Sequence, residues 1–298
     1  MSYDVVSSIM GKLHRQNFPE FSDALADYNE KKRLNQEDYF DDRHVLHIEY
    51  KNGCKIYEHS NNILIILPAR GGSKRIPRKN IKNICGQPMI YWPLTELNKA
   101  FDKSKIIIST DDQEVINTVE NIGLHVPFKR PSSLADDYTG TTPVIQHALE
   151  WYERNVAVVD YVIVVYPTAV LLDIEDIIWA FNTLYEDEDC QQVMSATHFP
   201  FPIQRAVYTN QQGYAQMFEP ENFTKRSQDL TPAMHDAGQF YIYRAQALRE
   251  GNLLTSSNVR LHVLPRYRVV DIDTIEDFEL AELMMKFIDY CGNKDYNG

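Results

Sequence analysis

The stretch from Ile63 to Asn83 constrains this chain most, because the apolar run "ILIILPA" breaks at once into "RGGSKRIPRKN". An apolar strand ending in a glycine-containing basic loop can turn backbone amides toward an anion while Lys and Arg supply countercharge. From Arg70 to Lys82 six residues are Lys or Arg and none is acidic, within a chain whose formal net charge is -12. This local reversal of sign points to a bound anion. Gly71 and Gly72 permit a tight turn, and Lys74, Arg78 and Lys79 are each long enough to reach a separate phosphate oxygen. The spacing does not fit GxxxxGK[ST], which argues against a kinase or ATPase of that class.

From Asn62 onward, strand-like runs at Ile63–Leu67, Lys105–Ser109, Tyr161–Tyr166 and Gln192–Thr197 alternate with amphipathic stretches. Such alternation predicts βαβ units and a largely parallel sheet. One helix is expected with Thr142 as N-cap, Pro143 at its first position, and Val144, Ile145, Ala148, Leu149 and Tyr152 on one face. His147 falls at the edge of that face as a structural residue. A second helix is expected from Pro88, kinked by Pro93. The closing helix carries Thr274 and Asp277 as a capping box and an apolar stripe of Leu280, Leu283, Met284 and Phe287. Ligands of open α/β sheets bind beyond the carboxyl ends of the strands. The segments Arg70 to Asn80, Thr110-Asp111-Asp112 and Pro167-Thr168 each follow such an end, so the three are expected to line one crevice.

Residues 1–61 read as a separate helix-plus-hairpin appendage, with helical spacing in Phe21, Ala24, Leu25 and Tyr28 and a turn near Asn52-Gly53. His44, His47 and His59 read as exposed hairpin residues. Residues 62–298 form the remaining domain. The acidic balance and a sequence pI near 5.2 oppose general binding to nucleic acid or to anionic membranes. Cys54, Cys85, Cys190 and Cys291 stand far apart with no CxxC, so reduced thiols are expected rather than a zinc site or a disulfide framework. The N-terminus carries no basic-then-apolar leader pattern and no run is long enough for a membrane span, which predicts a cytoplasmic protein.

The segment "RVVDIDT" answers the basic loop. On an extended segment alternate residues face one way, so Asp271 and Asp273 would point together while Ile272 enters the core. Two such carboxylates suit Mg²⁺ (or Mn²⁺), which favours a few carboxylates completed by substrate phosphates and waters.

Taken in order, "ARGGSKRIPRKN", "ISTDD", "KRPSSLADD", "FPFPIQRA", "ENFTKRSQDLTPAMHDAGQFY" and "DIDT" resemble the acylneuraminate cytidylyltransferase family over roughly residues 62 to 290. The resemblance implies an α/β, Rossmann-like nucleotidyltransferase fold with a mostly parallel mixed sheet flanked by helices. It also implies a reaction in which a nine-carbon 2-keto sugar acid attacks the α-phosphate of CTP, giving a CMP-sugar and pyrophosphate. The "QRA" and "HDAGQFY" segments favour the pseudaminic branch, with neuraminate, legionaminate and related keto-sugar acids as alternatives. By the same carry-over, Arg70, Gly71, Ser73, Lys74, Lys79, Asn80 and Arg130 would bind the nucleotide. Lys79, Asp271 and Asp273 would be catalytic, the two aspartates holding the metal. Gln204, Arg205, Arg226, His235, Asp236 and Gln239 would bind the sugar acid. The family implies a homodimer, with "QMFEPENFTKRSQDL" as the arm reaching the other subunit. The chain departs from the pseudaminic pattern at "YPTAVLL", where that branch resembles "ATAPF". A non-catalytic nucleotide-sugar sensor is the rival from another class, and retention of Asp271, Asp273 and Lys79 speaks against it.

Overall fold

The structure, a computed structural model, describes residues 3–9, 12–18, 46–50, 63–251 and 258–292, with the first three segments described as backbone. Strands β1 (Tyr3–Ile9), β2 (Lys12–Phe18) and β3 (Leu46–Tyr50) form an antiparallel sheet in the order β2-β1-β3, with Tyr3 opposite both Phe18 and Tyr50. The helix expected around Phe21 to Tyr28 and the turn at Asn52-Gly53 lie outside the described residues, as do His44 and His59. His47 belongs to β3.

The remaining strands are β4 (Ile63–Pro68), β5 (Asn83–Ile84), β6 (Gln87–Pro88), β7 (Ile106–Ser109), β8 (Tyr161–Val165), β9 (Gln192–His198), β10 (Val207–Thr209), β11 (Ala215–Met217), β12 (Met234–Arg244) and β13 (Val259–Val263). Six of them make one sheet in the order β13-β9-β12-β8-β4-β7. The β13–β9, β4–β8 and β4–β7 pairs are parallel, whereas β12 runs antiparallel to both β8 and β9. The sheet is therefore mixed and mostly parallel. The helices are α1 (Tyr91–Leu97), α2 (Gln113–Asn121), α3 (Thr141–Asn155), α4 (Ile174–Glu186), α5 (Ala245–Glu250) and α6 (Ile275–Gly292). No helix of the described residues is long and apolar enough to cross a membrane.

Strand β4 is apolar throughout because both of its faces are covered. Ile63, Ile65 and Leu67 join the cluster containing Leu94 and Leu97 of α1, Val115 and Val119 of α2, and Ile177 and Phe181 of α4. Leu64 and Ile66 join the opposite cluster, with Ile145, Ala148 and Leu149 of α3 and Leu248 of α5. The result is a three-layer sandwich. A third cluster lies at one end and gathers Ile76, Ile84 and Met89 from the basic loop and the turn after it, Val170 and Leu171, Ile272, and Phe278, Ala281 and Met285 of α6.

Several helix limits differ from expectation for identifiable reasons. Helix α3 is capped by Gly140 and begins at Thr141, so Pro143 occupies its third position instead of its first. Pro93 likewise falls at the third position of α1, which starts at Tyr91. The first four N–H groups of a helix have no intrahelical acceptor, so a proline there removes no bond, and the expected start at Pro88 and kink do not arise. The Thr274–Asp277 box forms as expected, with Thr274 N–H donating to Asp277 Oδ2 at 2.7 Å and Asp277 N–H to Thr274 Oγ1 at 3.2 Å. The stripe of α6 is corrected in part: Phe278, Ala281 and Met285 are its buried residues and Met284 packs beside them as expected, whereas Leu280, Leu283 and Phe287 are exposed. Helix α6 is apolar on two sides, and only one packs on the body.

Phe240 of β12 is among the largest fully buried side chains and sits in the first cluster between β8 and β9. Phe240→Ala is expected to lower unfolding free energy by about 3–5 kcal/mol, read as a lower midpoint in urea at unchanged helical circular dichroism.

Candidate active site

The loops after β4 and β8 close over the carboxyl ends of their strands and form a crevice of about 630 Å³. Its lining includes Arg70, Ser73, Lys74, Arg75, Lys79 and Asn80 of the basic loop, Pro167 and Thr168 after β8, and Asp271 and Asp273. Arg130 also reaches it. The segment Thr110-Asp111-Asp112 does not line the crevice as expected; it buttresses the basic loop from behind. Gly71 N–H donates to Asp111 Oδ1 at 3.0 Å, and Asp112 both caps α2 and pairs with Arg78.

That buttress explains one of the two glycines. A Cβ on Gly71 would lie 2.6 Å from Asp112 Cβ and 2.7 Å from its Cγ, so only hydrogen fits there. Gly72 has open space around it. Arg78 adopts a left-handed backbone, φ 56°, and its guanidinium is tied to Asp112 and, at 2.9 Å, to Glu114. It therefore points away from the crevice, and the expectation that Arg78 contacts phosphate is corrected. Asn80 is buried and donates its amide to Arg70 O at 2.8 Å, shaping the loop from within.

Lys79 links the basic loop to the carboxylates. Its Nζ donates to Ile272 O at 2.7 Å and lies 3.1 Å from Asp273 Oδ1. Arg75, which the sequence reading passed over, donates to Asp273 Oδ2 at 2.7 Å. Ile272 is fully buried in the third cluster, so Asp271 and Asp273 project on the other side, as expected. Asp271 lacks the cationic partners of Asp273. Burial, followed by the negative charges of Asp273, Asp277 and Asp236, raises its pKa, and Lys79 offsets this in part. Burial pulls the Arg130 guanidinium down to about 10, with the Asp111 carboxylate opposing and Arg70 adding to the effect. It stays charged at neutral pH, and Arg130 Nε donates to Ser109 Oγ at 3.1 Å.

The donor set fits a divalent cation bound jointly with substrate. Asp271 and Asp273 offer hard oxygens in a place where negative charge is crowded, and a dication relieves that crowding. Among the described residues no group of three or more His, Cys, Asp or Glu side chains gathers for a metal, so substrate oxygens and water would complete the coordination. Cys85 and Cys190 are free thiols.

The residues assigned to the sugar acid do not line this crevice. Gln204 donates to Thr231 O at 2.9 Å, Arg205 to Ser227 Oγ at 3.3 Å, and Arg226 pairs with Asp229 at 2.8 Å, all within the segment carrying the β10–β11 hairpin. The ring of His235 lies tilted against Phe199, 4.7 Å between centroids, and its Nδ1 lies 2.8 Å from Asp236 O. Asp236 accepts from Tyr241 Oη at 2.5 Å and from Gly238 N–H at 2.8 Å. Gln239 is buried, and its side-chain amide donates to Arg268 O. In their place the crevice holds Asp137, Tyr138, Thr139, Thr141 and Tyr166, with Thr141 Oγ1 and Tyr166 Oη 3.1 Å apart. The "LADD" acidic pair was the available signal: Asp137 pairs with Lys74 and, at 3.2 Å, with Arg70.

Two outcomes follow from this geometry. Gly71→Ala forces Asp112 off its cap and is expected to raise the KM for the nucleotide at least about tenfold, while thermal unfolding shows a folded protein. Asp271→Asn is expected to raise the metal-free melting temperature at pH 7 by about 1–2 °C, a gain kept small by solvent screening. The sign follows from linkage: a raised folded-state pKa makes the ionised native carboxylate costly at neutral pH, and the gain disappears once pH falls below the unfolded value.

Comparison with known proteins identifies the family. Residues 64–291 match the family model described as Cytidylyltransferase. Pseudaminic acid cytidylyltransferase of Campylobacter jejuni subsp. jejuni serotype O:2 is 39% identical over 223 residues, covering 75% of this chain and 96% of that protein. The CMP-N,N'-diacetyllegionaminic acid synthase of the same organism is 28% identical over 228 residues, covering 75% and 94%. A solved structure of CMP:2-keto-3-deoxy-manno-octonic acid synthetase complexed with CTP superposes with a TM-score of 0.55 at 19% identity, covering 76% of this chain and 99% of that one. With a strand-to-basic-loop crevice facing a DID pair and a family match spanning most of its length, the chain belongs to the cytidylyltransferase family.

Proposed function

We propose that this cytidylyltransferase activates pseudaminic acid, a nine-carbon 2-keto sugar acid, with CTP to give the CMP-sugar and pyrophosphate. The observation that carries the reading is the Lys79 bridge: one ammonium holds the phosphate loop against Ile272 O and Asp273. The identity to pseudaminic relatives, higher than to the legionaminic one, favours the sugar.

In this reading Arg70, Ser73, Lys74 and Lys79 take the triphosphate oxygens, Gly71 and Asn80 shape the loop, and Arg130 lies beside the nucleotide. The anomeric oxygen forms a bond to the α-phosphorus, the bond to the pyrophosphate oxygen breaks, and the hydroxyl proton leaves to solvent. No covalent nucleophile on the protein is needed. The work is positioning and neutralising charge that spreads over phosphate oxygens as the bond breaks. Asp271 and Asp273 would hold Mg²⁺ or Mn²⁺, which would supply charge neutralisation at the phosphate oxygens. Lys79 fixes Asp273 and lines the crevice in which the phosphates would sit.

A second copy of the chain completes the sugar side. Phe201, Tyr214, Phe218 and Phe223 are exposed on the segment that also carries Gln204, Arg205 and Arg226. An apolar surface of that kind suits burial against a like subunit. Docking there would bring Arg205 or Arg226 to the partner's crevice, where a guanidinium can hold the sugar carboxylate bidentately. A cytoplasmic setting fits the supply of CTP.

The decisive test is pyrophosphate release from purified protein with CTP and Mg²⁺, offering pseudaminic, N,N'-diacetyllegionaminic and N-acetylneuraminic acids in parallel. Turnover is expected with pseudaminic acid and at least about a hundredfold less with the others. Asp273→Ala is expected to abolish release, and full activity in that variant would remove the metal assignment. Turnover with another sugar acid instead would reassign the substrate, and CTP binding without turnover under any sugar would favour a sensor.

A further inference from the structure

The carboxylate pair stands on a segment that belongs to no sheet. Residues 269–273 follow β13 and the short 3-10 turn Arg266–Arg268, and among the described residues no strand ladder holds them. Besides the burial of Ile272 and the bond from Lys79 to Ile272 O, their place is set by side-chain ties at each end. On the downstream side Asp277 Oδ2 accepts from Asp273 N–H at 3.1 Å and from Thr274 N–H at 2.7 Å. On the upstream side the tie is Arg268.

Arg268 joins three elements at once. Its Nη1 donates to Asp173 Oδ2 at 3.1 Å and its Nη2 to Asp176 Oδ2 at 2.5 Å, so one planar fork spans the cap residue and the first turn of α4. Asp176 is shared with His262 of β13, whose Nε2 lies 2.9 Å from Oδ1. The main-chain carbonyl of Arg268 accepts the side-chain amide of Gln239. A carbonyl can only accept, so the NH₂ of Gln239 must face it. The side chains of Arg268 and Asp176 are each 16% exposed, so that pair is shielded from competing water, whereas Asp173 at 47% is open to it. Gln239 is 3% exposed, and its main-chain carbonyl accepts from Tyr166 N–H at 2.9 Å, which continues the connection to the end of β8.

We infer that Arg268, with Gln239 behind it, is a positioning residue for the metal pair: it fixes the start of the segment whose third and fifth following residues are Asp271 and Asp273. This inference rests on the reading that those two aspartates hold the divalent cation. It also gives Gln239 a different task from sugar contact, since its amide is committed to Arg268 O. An ammonium cannot span Asp173 and Asp176 as a guanidinium fork does, so lysine should preserve charge without preserving the register. Outer residues that orient metal ligands commonly change metal affinity by about 10- to 100-fold when replaced.

The test measures Mn²⁺ binding by calorimetry to the enzyme saturated with CTP, with CTP alone as the blank and no sugar acid present, alongside the metal concentration giving half-maximal pyrophosphate release. Wild type and Asp271→Asn come first: loss of Mn²⁺ binding in Asp271→Asn supports the metal assignment, and unchanged binding overturns that assignment whatever Arg268 does. Given that loss, Arg268→Met is expected to weaken Mn²⁺ binding about tenfold and to raise the metal requirement in parallel. Excess metal should then restore most of kcat, with the KM for CTP within about twofold of wild type. Arg268→Lys should fall between. Should Arg268→Met fail to fold, Arg268→Lys and Gln239→Leu decide, the latter removing the tie to Arg268 O without touching the charged cluster. Wild-type Mn²⁺ affinity in the folded variants, or lost activity that excess metal does not restore, overturns the inference.

Discussion

The contact on which the rest depends is the burial of Ile272 against Ile76, Ile84 and Met89. It is an ordinary apolar contact, yet it binds the basic loop and the carboxylate segment into one cluster with α6. The loop arises at the end of β4, and the carboxylates lie some two hundred residues later, beyond the far edge strand β13. Without a shared apolar anchor, Lys79 would have to hold Asp273 by charge alone, against solvent screening. With the anchor in place, the bridge from Lys79 to Ile272 O and Asp273 forms between groups whose backbones are already fixed.

Much of this arrangement is legible in the sequence because it depends on local pattern. The apolar run of β4, the break at Gly71-Gly72 and the alternation around Ile272 each express a single periodicity, and all three appear in the structure as read. The antiparallel strand β12 is harder to read. Its first half, "MHDAGQ", is polar and passes through a register shift between Asp236 and Tyr241, so no alternation announces it. Helix α6 misleads for the opposite reason. It is apolar on two sides, and the sequence gives no means of telling which side meets the body.

The site residues divide along the same line. Arg70, Lys74 and Lys79 lie next to their strand and are placed by it, so short-range reasoning reaches them. Arg78 fails because its orientation is decided by Asp112 and Glu114, which belong to another βα unit. Asp137 and Thr141, at the entry to α3, and Tyr166, just after β8, meet the basic loop only through the packing of separate segments. Gln239 reads as a sugar-binding residue, whereas its buried side-chain amide donates to Arg268 O. Periodicity reports which face a residue occupies, and it carries nothing about which distant partner claims its hydrogen bond.

The basic loop also has a consequence for how a nucleotide enters. Almost every cation in it already has a carboxylate at hand: Lys74 and Arg70 have Asp137, Arg75 and Lys79 have Asp273, and Arg78 has Asp112 and Glu114. A triphosphate arriving there trades places with protein acids instead of displacing a cloud of small ions. Binding of that kind is an exchange between fixed charges, so its dependence on salt is shallower than the number of lysines and arginines suggests. A chain this acidic overall can then hold a highly charged anion without presenting a lasting positive surface to every other polyanion around it.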